Sequence, residues 1–290
     1  MKLFSPDNAH WYRPNGEALH TVTSANGVQR PTDLRDARKL GLLPSVTNVL
    51  GIIAKRDLED WKMEQAVLAA LTLPRREGES LDAFAHRVVQ DSKGGVRSAA
   101  EFGTAFHAGA VLVAKSITVD PAGPCAAWLD HYRAWFQANC ARLVWTEQVL
   151  VNAELGYAGT ADLLMEHQAF GLTLVDLKTR KLGRRGMNPY PSWCYQLAAY
   201  RRALGKPVCC MNLIVNSDAA STPVEHLWSE EELERAWEAF EAAQVIWRAE
   251  KEYDPRAWRP ATTTESTENT RMEPRNTRNG TESAWPIVAA

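Results

Sequence analysis

The run Val175-Asp176-Leu177-Lys178-Thr179 carries two charges in an otherwise apolar, strand-like stretch. Side chains alternate along a strand, so Asp176 and Lys178 share one face and Leu177 points into the other. Asp162 lies in Gly159-Thr160-Ala161-Asp162, on the preceding strand-like run. If the two runs pair through the short link at 167–171, Asp162 comes close to Asp176. Carboxylates a few ångströms apart repel unless a cation sits between them. Hard oxygen ligands of this sort suit Mg²⁺ or Mn²⁺. A divalent ion would lower the pKa of a bound water and polarise a phosphoryl oxygen, which is what phosphodiester hydrolysis needs. Lys178 would orient or deprotonate that water, or balance developing charge. The plainer alternative is a cross-strand salt bridge in which Lys178 neutralises both aspartates.

Other residues converge on the same chemistry. His107 follows Gly103 by four positions in Gly103-Thr104-Ala105-Phe106-His107, so both lie on one helical face, where the glycine allows a close approach. Gln196 and Tyr200 are likewise four apart. Five basic residues, Lys178, Arg180, Lys181, Arg184 and Arg185, fall within eight positions, and Arg201 with Arg202 extend the series. Such a cluster beside a hydrolytic site suits phosphate contacts. Tyr190, Trp193 and Tyr195 could stack on an unpaired base. No side-chain pattern suggests base reading, so sequence specificity is not expected.

Hydrophobic spacing places these residues on elements. Asp57–Leu71 reads as a helix. A second helix begins at Ser80 and stops at Gly94-Gly95, and a third covers Val96–Ser116. Ala126–Ala141 is a further helix. The period then shortens to three strands, Leu143–Val151, Gly156–Glu166 and Leu172–Thr179, with links short enough for an antiparallel meander. Ser192–Leu204 is a helix closed by Gly205 and Pro207. Val208–Val215 is a near-continuous apolar run, as in a strand buried on both faces. Ser229 and Glu232 form a capping box before a last helix. A short strand near Thr21–Thr23 lies in an otherwise irregular beginning. The order implies one α/β domain over residues 1–260, with an N-terminal helical part and a mixed central sheet between helices. Residues 261–290, rich in Thr, Glu, Asn and Arg, read as a disordered tail.

Composition narrows the class. With 290 residues, 45% hydrophobic and 23% charged, the chain can bury a sizeable core. Its 33 basic and 35 acidic residues exclude a protein that coats nucleic acid by bulk charge, but not one with a local basic groove. No apolar run is long enough for a membrane span. The first residues lack a signal peptide's apolar stretch, so a cytoplasmic location, in a bacterium or a phage-infected host, is expected. Five cysteines without a C-x-x-C pair read as reduced thiols, not a metal or iron–sulfur framework.

In order, the chain presents G-T-x-x-H, Glu147, G-x-x-D, V-D-L-K-T and Q-x-x-x-Y. This set resembles the RecB-like exonuclease branch of the PD-(D/E)XK nuclease superfamily, from about Pro44 to Val215. Pro44-Ser45-Val46-Thr47 followed by Trp61 also looks like the phage and mitochondrial single-polypeptide exonucleases of that branch. The resemblance implies a restriction-endonuclease-like core and a metal-dependent DNA exonuclease acting from DNA ends in recombination, repair or replication. It makes His107, Asp162, Asp176 and the Leu177 carbonyl ligands of Mg²⁺ or Mn²⁺, with Lys178 catalytic and Glu147 in support. Gln196 and Tyr200 would help hold the DNA end, with Arg180, Lys181, Arg184, Arg185 and Arg201 on its phosphates. Asp rather than Glu before x-K is common in this branch. The cysteines with which some relatives bind an iron–sulfur cluster are missing, so no cluster is expected. The partners implied are single- or double-stranded DNA ends and a recombination or replication protein, not a membrane. Two alternatives stand beside this: a nuclease-fold module that binds DNA without cutting, and a structure-specific endonuclease.

Overall fold

The computed structural model of the chain describes residues 10–259, apart from 55, 121–122, 182–185 and 187. The expected tail lies outside them, as do Arg184 and Arg185. Three short strands, β1 (Trp11–Tyr12), β2 (Thr21–Thr23) and β3 (Gln29–Pro31), precede α1 (Leu34–Leu40), β4 (Leu43–Pro44) and the single turn α2 (Val46–Leu50). β1 pairs with β4, and β2 with β3. A helical hairpin follows, α3 (Arg56–Thr72) on α4 (Leu81–Ala114), and then α5 (Ala126–Asn139) leads into the main sheet.

The main sheet is mixed and five-stranded. β5 (Cys140–Asn152), β6 (Tyr157–His167) and β7 (Gly171–Arg180) form the antiparallel meander. The helix α6 (Pro191–Leu204) crosses over to β8 (Cys209–Asn216), which runs parallel to β7. β9 (Val224–Trp228) then pairs antiparallel with β8, and α7 (Glu230–Lys251) closes the sequence of elements. The strand order is β5-β6-β7-β8-β9. Local chemistry sets the helix ends. Pro191 starts α6 and Gly205, at φ 66°, stops it, while α7 opens on the Ser229–Glu232 capping box.

Two expected features differ. Gly94-Gly95 does not stop a helix, because α4 runs unbroken through both from its Ser80 cap. A glycine inside a helix costs only about 1 kcal/mol relative to alanine, and α3 packs along the outer part of α4. β9 was not among the expected strands. Its Glu225 and His226 interrupt any clean alternation. Among the described residues, no helix is long and apolar enough to cross a membrane.

Helices cover both faces of the sheet, giving two cores. Val46, Leu50, Leu197, Phe240 and Trp247 lie in one, on the α2, α6 and α7 side. Phe106, Leu129, Tyr132 and Trp135 lie in the other, beneath α4 and α5. β7 alternates between them: Leu174 joins the first, and Val175 and Leu177 the second. Asp176 therefore projects toward α6, into a layer that is mainly apolar. Phe240, fully buried, anchors that layer, whereas Leu71 on α3 is 78% exposed. Phe240→Ala should lower stability by roughly 3–5 kcal/mol, and Leu71→Ala should change it by less than about 0.5 kcal/mol. Urea denaturation of both variants checks this.

Candidate metal centre

Strand irregularity builds the site. Along β6, Ala161 and Leu164 both join the α6-side core, while Leu163 and Met165 face the other. Positions three apart on one face mean that the two-residue alternation slips at Asp162. The register with β5 passes from Gln148↔Ala161 to Thr146↔Leu163, which brings Glu147 opposite Asp162. Glu147 takes φ +51° there. A left-handed backbone costs an L-residue roughly 1–2 kcal/mol and tends to be kept where a side chain must be re-aimed. The β6–β7 ladder reaches only Leu163↔Val175. Beyond it, the Leu177 N–H donates to Asp162 Oδ2 at 2.7 Å.

α4 completes the site from the other side. A Cβ at Gly103 would stand 3.1 Å from Thr179 Oγ1, so the bare glycine lets the helix lie against the end of β7. His107, one turn on, then reaches Asp162, with Nδ1 3.7 Å from Oδ1. One ligand atom from each of His107, Glu147 and Asp162 lies within 4.8 Å of the others. Imidazole nitrogen and two carboxylate oxygens form a donor set that fits a small divalent cation.

Asp176 and Lys178 form the second half. Lys178 Nζ stands 2.7 Å from Asp176 Oδ2 and 2.9 Å from Oδ1. It also donates to Gln196 Oε1 at 3.0 Å. Gln196 Nε2 donates in turn to the Tyr200 hydroxyl at 3.1 Å. Tyr200 is buried, against a surface that only glycine leaves open: a Cβ at Gly159 would lie 2.6 Å from Tyr200 Cε1. The expected Gln196–Tyr200 pair thus faces inward onto Lys178. Asp176 is also buried, and Asn212 Nδ2 donates to its Oδ2 at 2.7 Å. The atoms that converge so that they could hold a cation are therefore those of His107, Glu147 and Asp162, whereas both Asp176 oxygens are in hydrogen bonds.

The charges are uneven. Burial raises the Asp176 carboxyl to about 6 despite Lys178, with Asp162 adding to the rise. Burial also acts to raise Asp162, but the neighbouring His107, then Lys178 and the Leu177 N–H, hold it below the usual carboxylate range. Burial acts to lower His107, and the Asp162 charge more than reverses it, so the ring's pKa is raised. Partial loss of water, then Asp162, raises Glu147. Three carboxylates thus face one lysine and one imidazole, an excess of negative charge that a divalent ion would relieve.

The basic residues are partly committed to the protein. Arg180 Nη1 donates to the Asn188 carbonyl at 2.6 Å, and its guanidinium lies over Tyr190, 4.6 Å from the ring centroid. Tyr190 meets Trp193 edge-to-face at 5.0 Å. Lys181 is exposed, 3.5 Å from Asp218. Arg201 turns to α7 and grips Glu230 with two bonds, at 2.7 and 3.0 Å. Ser45 caps α2 through the Asn48 N–H. Asn212 and Trp228 were not among the expected site residues. One signal pointed to Asn212: it is the single amide in an apolar run expected to be buried, where it must find a partner.

No family model matches the chain, and neither does any curated protein. Among solved structures, the crystal structure of SSO0001 aligns at 13% identity with a TM-score of 0.30, covering 63% of this chain and 85% of that one. A likeness this weak carries no argument about fold or function.

Two measurements test the site. Mn²⁺ at about 100 times its dissociation constant should stabilise the wild type by roughly 2.7 kcal/mol, and Asp162→Asn should abolish the effect in a thermal melt. Separately, the raised pKa of His107 means that its pairing stabilises fully below the ordinary value of 6.5 and is lost as pH rises through the folded value. In chelator, the wild type should lose stability relative to His107→Gln as pH rises above the ordinary value of 6.5. Parallel stability curves would remove the His107–Asp162 pairing.

Proposed function

We propose that this chain is a metal-dependent deoxyribonuclease of the PD-(D/E)XK type, with a restriction-endonuclease-like core, that hydrolyses phosphodiester bonds from DNA ends. The observation that carries this is the junction of two groups of side chains. A cation-ready set, His107, Glu147 and Asp162, adjoins Asp176, itself buried and paired to Lys178 at 2.7 Å. His107, Glu147 and Asp162 would hold Mg²⁺ or Mn²⁺, with Asp176 and the Leu177 carbonyl as the further ligands that the resemblance implies. A bound divalent ion supplies an acidified water and a polarised phosphoryl oxygen.

The chain's own groups do the rest. Lys178 has three N–H donors and three acceptors, two on Asp176 and one on Gln196. With its donors engaged in this way, Lys178 is held in place and would act on an anionic transition state through its charge. Gln196 holds it, and Tyr200, wedged against Gly159, holds Gln196. The Arg180–Tyr190–Trp193 stack follows β7 and offers an aromatic edge against which an unpaired base can lie. Lys181 adds exposed positive charge for phosphates.

The test is cleavage of end-labelled linear DNA against covalently closed circles, with Mn²⁺ or with chelator. Linear DNA should disappear in Mn²⁺ alone while circles persist. Lys178→Gln keeps an amide donor beside Asp176 and removes the charge. It should cut roughly 10²–10⁴ times more slowly while remaining folded by circular dichroism, with a lowered melting temperature because buried Asp176 loses its counter-charge. Cleaved circles would make the protein an endonuclease, and DNA binding without any cleavage would make it a binding module.

A further inference from the structure

Asn212 is wholly buried on β8, where it is the register partner of Asp176 on β7. Its Nδ2 donates to Asp176 Oδ2 at 2.7 Å. On its other side, Trp228 Nε1 from β9 donates to Asn212 Oδ1, also at 2.7 Å. An indole nitrogen can only donate, whereas an amide can present either end. Trp228 therefore selects one orientation of the amide: oxygen toward the indole, NH₂ toward the carboxylate. The flipped amide would set two oxygens against each other at Asp176 and leave the indole N–H facing a donor. Lys178 takes the same carboxylate from its other side. Six side chains from four elements thus form one line, Trp228, Asn212, Asp176, Lys178, Gln196 and Tyr200.

We infer that Asn212 and Trp228 are positioning residues, which fix the orientation of Asp176 and through it of Lys178. This rests on the nuclease reading above. Neither residue meets the substrate. Asn212 clamps one carboxylate oxygen, which restricts rotation about the Asp176 χ2 bond, and Trp228 prevents the clamp from reversing. Partners of this kind, one step behind the ligands of a metal site, commonly change metal affinity or turnover by about 10–100-fold when removed.

The experiment uses the full chain and two variants. Asn212→Leu keeps the volume and removes both amide contacts. Trp228→Phe keeps an aromatic ring and removes only the N–H. Mn²⁺ binding is read by titration calorimetry, and kcat and KM for linear DNA are measured separately, with a thermal melt as the folding check. Asn212→Leu should weaken Mn²⁺ binding or lower kcat about 10–100-fold. Trp228→Phe, which acts only through the amide, should give a smaller loss of about 3–10-fold. KM for DNA should stay within about twofold in both, because neither residue touches the substrate. If Asn212→Leu does not fold, Trp228→Phe decides alone. Variants that melt earlier yet bind Mn²⁺ and turn over as the wild type does would make the pair merely structural and overturn the inference. A wild type that neither binds Mn²⁺ nor cuts DNA would overturn the nuclease reading and this inference together. A wild type that binds and cuts, matched by both variants, would overturn this inference only.

Discussion

Asp176 is a carboxylate set in a layer of apolar side chains, and the surrounding structure is arranged around how its charge is met. A buried charge without partners is one of the least tolerable features of a folded protein. Here Lys178 and Asn212 meet it directly, and Gln196, Tyr200 and Trp228 hold those two in turn. A fully connected polar line of this kind is stiff, since moving one member breaks bonds at both its neighbours. The arrangement is poor as a source of stability and good as a means of keeping a charged group in one place.

Against that rigid line stands a more open group. His107, Glu147 and Asp162 come from three elements, and they meet only because two strands depart from regular pairing. β6 slips its alternation at Asp162, and β5 turns left-handed at Glu147. Regular strands would have left no space for a third group beside Asp162. The site thus sits where the two cores part, with one carboxylate embedded among apolar residues and two nearer to water.

Much of this was legible in the residues. The Asp176–Lys178 alternation, the Gly103–His107 turn and the Gln196–Tyr200 turn follow from periodicity alone, and each lies where its period put it. The meander followed from link lengths. The rest was hidden for identifiable reasons. Gly94-Gly95 has the composition of a helix stop, but a glycine costs a helix interior only about 1 kcal/mol and α4 continues through both. β9 carries polar groups mid-strand, which blur its alternation. Glu147 owes its place to a backbone conformation that no spacing rule announces for glutamate. Spacing pairs Tyr200 with Gln196 but does not say which way they face, and only the bare backbone of Gly159 shows why the tyrosine turns inward.

The β7–β8 ladder is the one parallel pairing among the strands of the main sheet. Parallel neighbours cannot be joined by a tight turn, so α6 must intervene before Asn212 can reach Asp176. A chain emerging from the ribosome therefore exposes Asp176 well before its amide clamp exists, and Trp228 emerges later still. Until then the aspartate has every reason to stay hydrated, and the centre of the sheet cannot close over it. The polar line through Asp176 is in this sense completed last, once β8 and β9 have both been made.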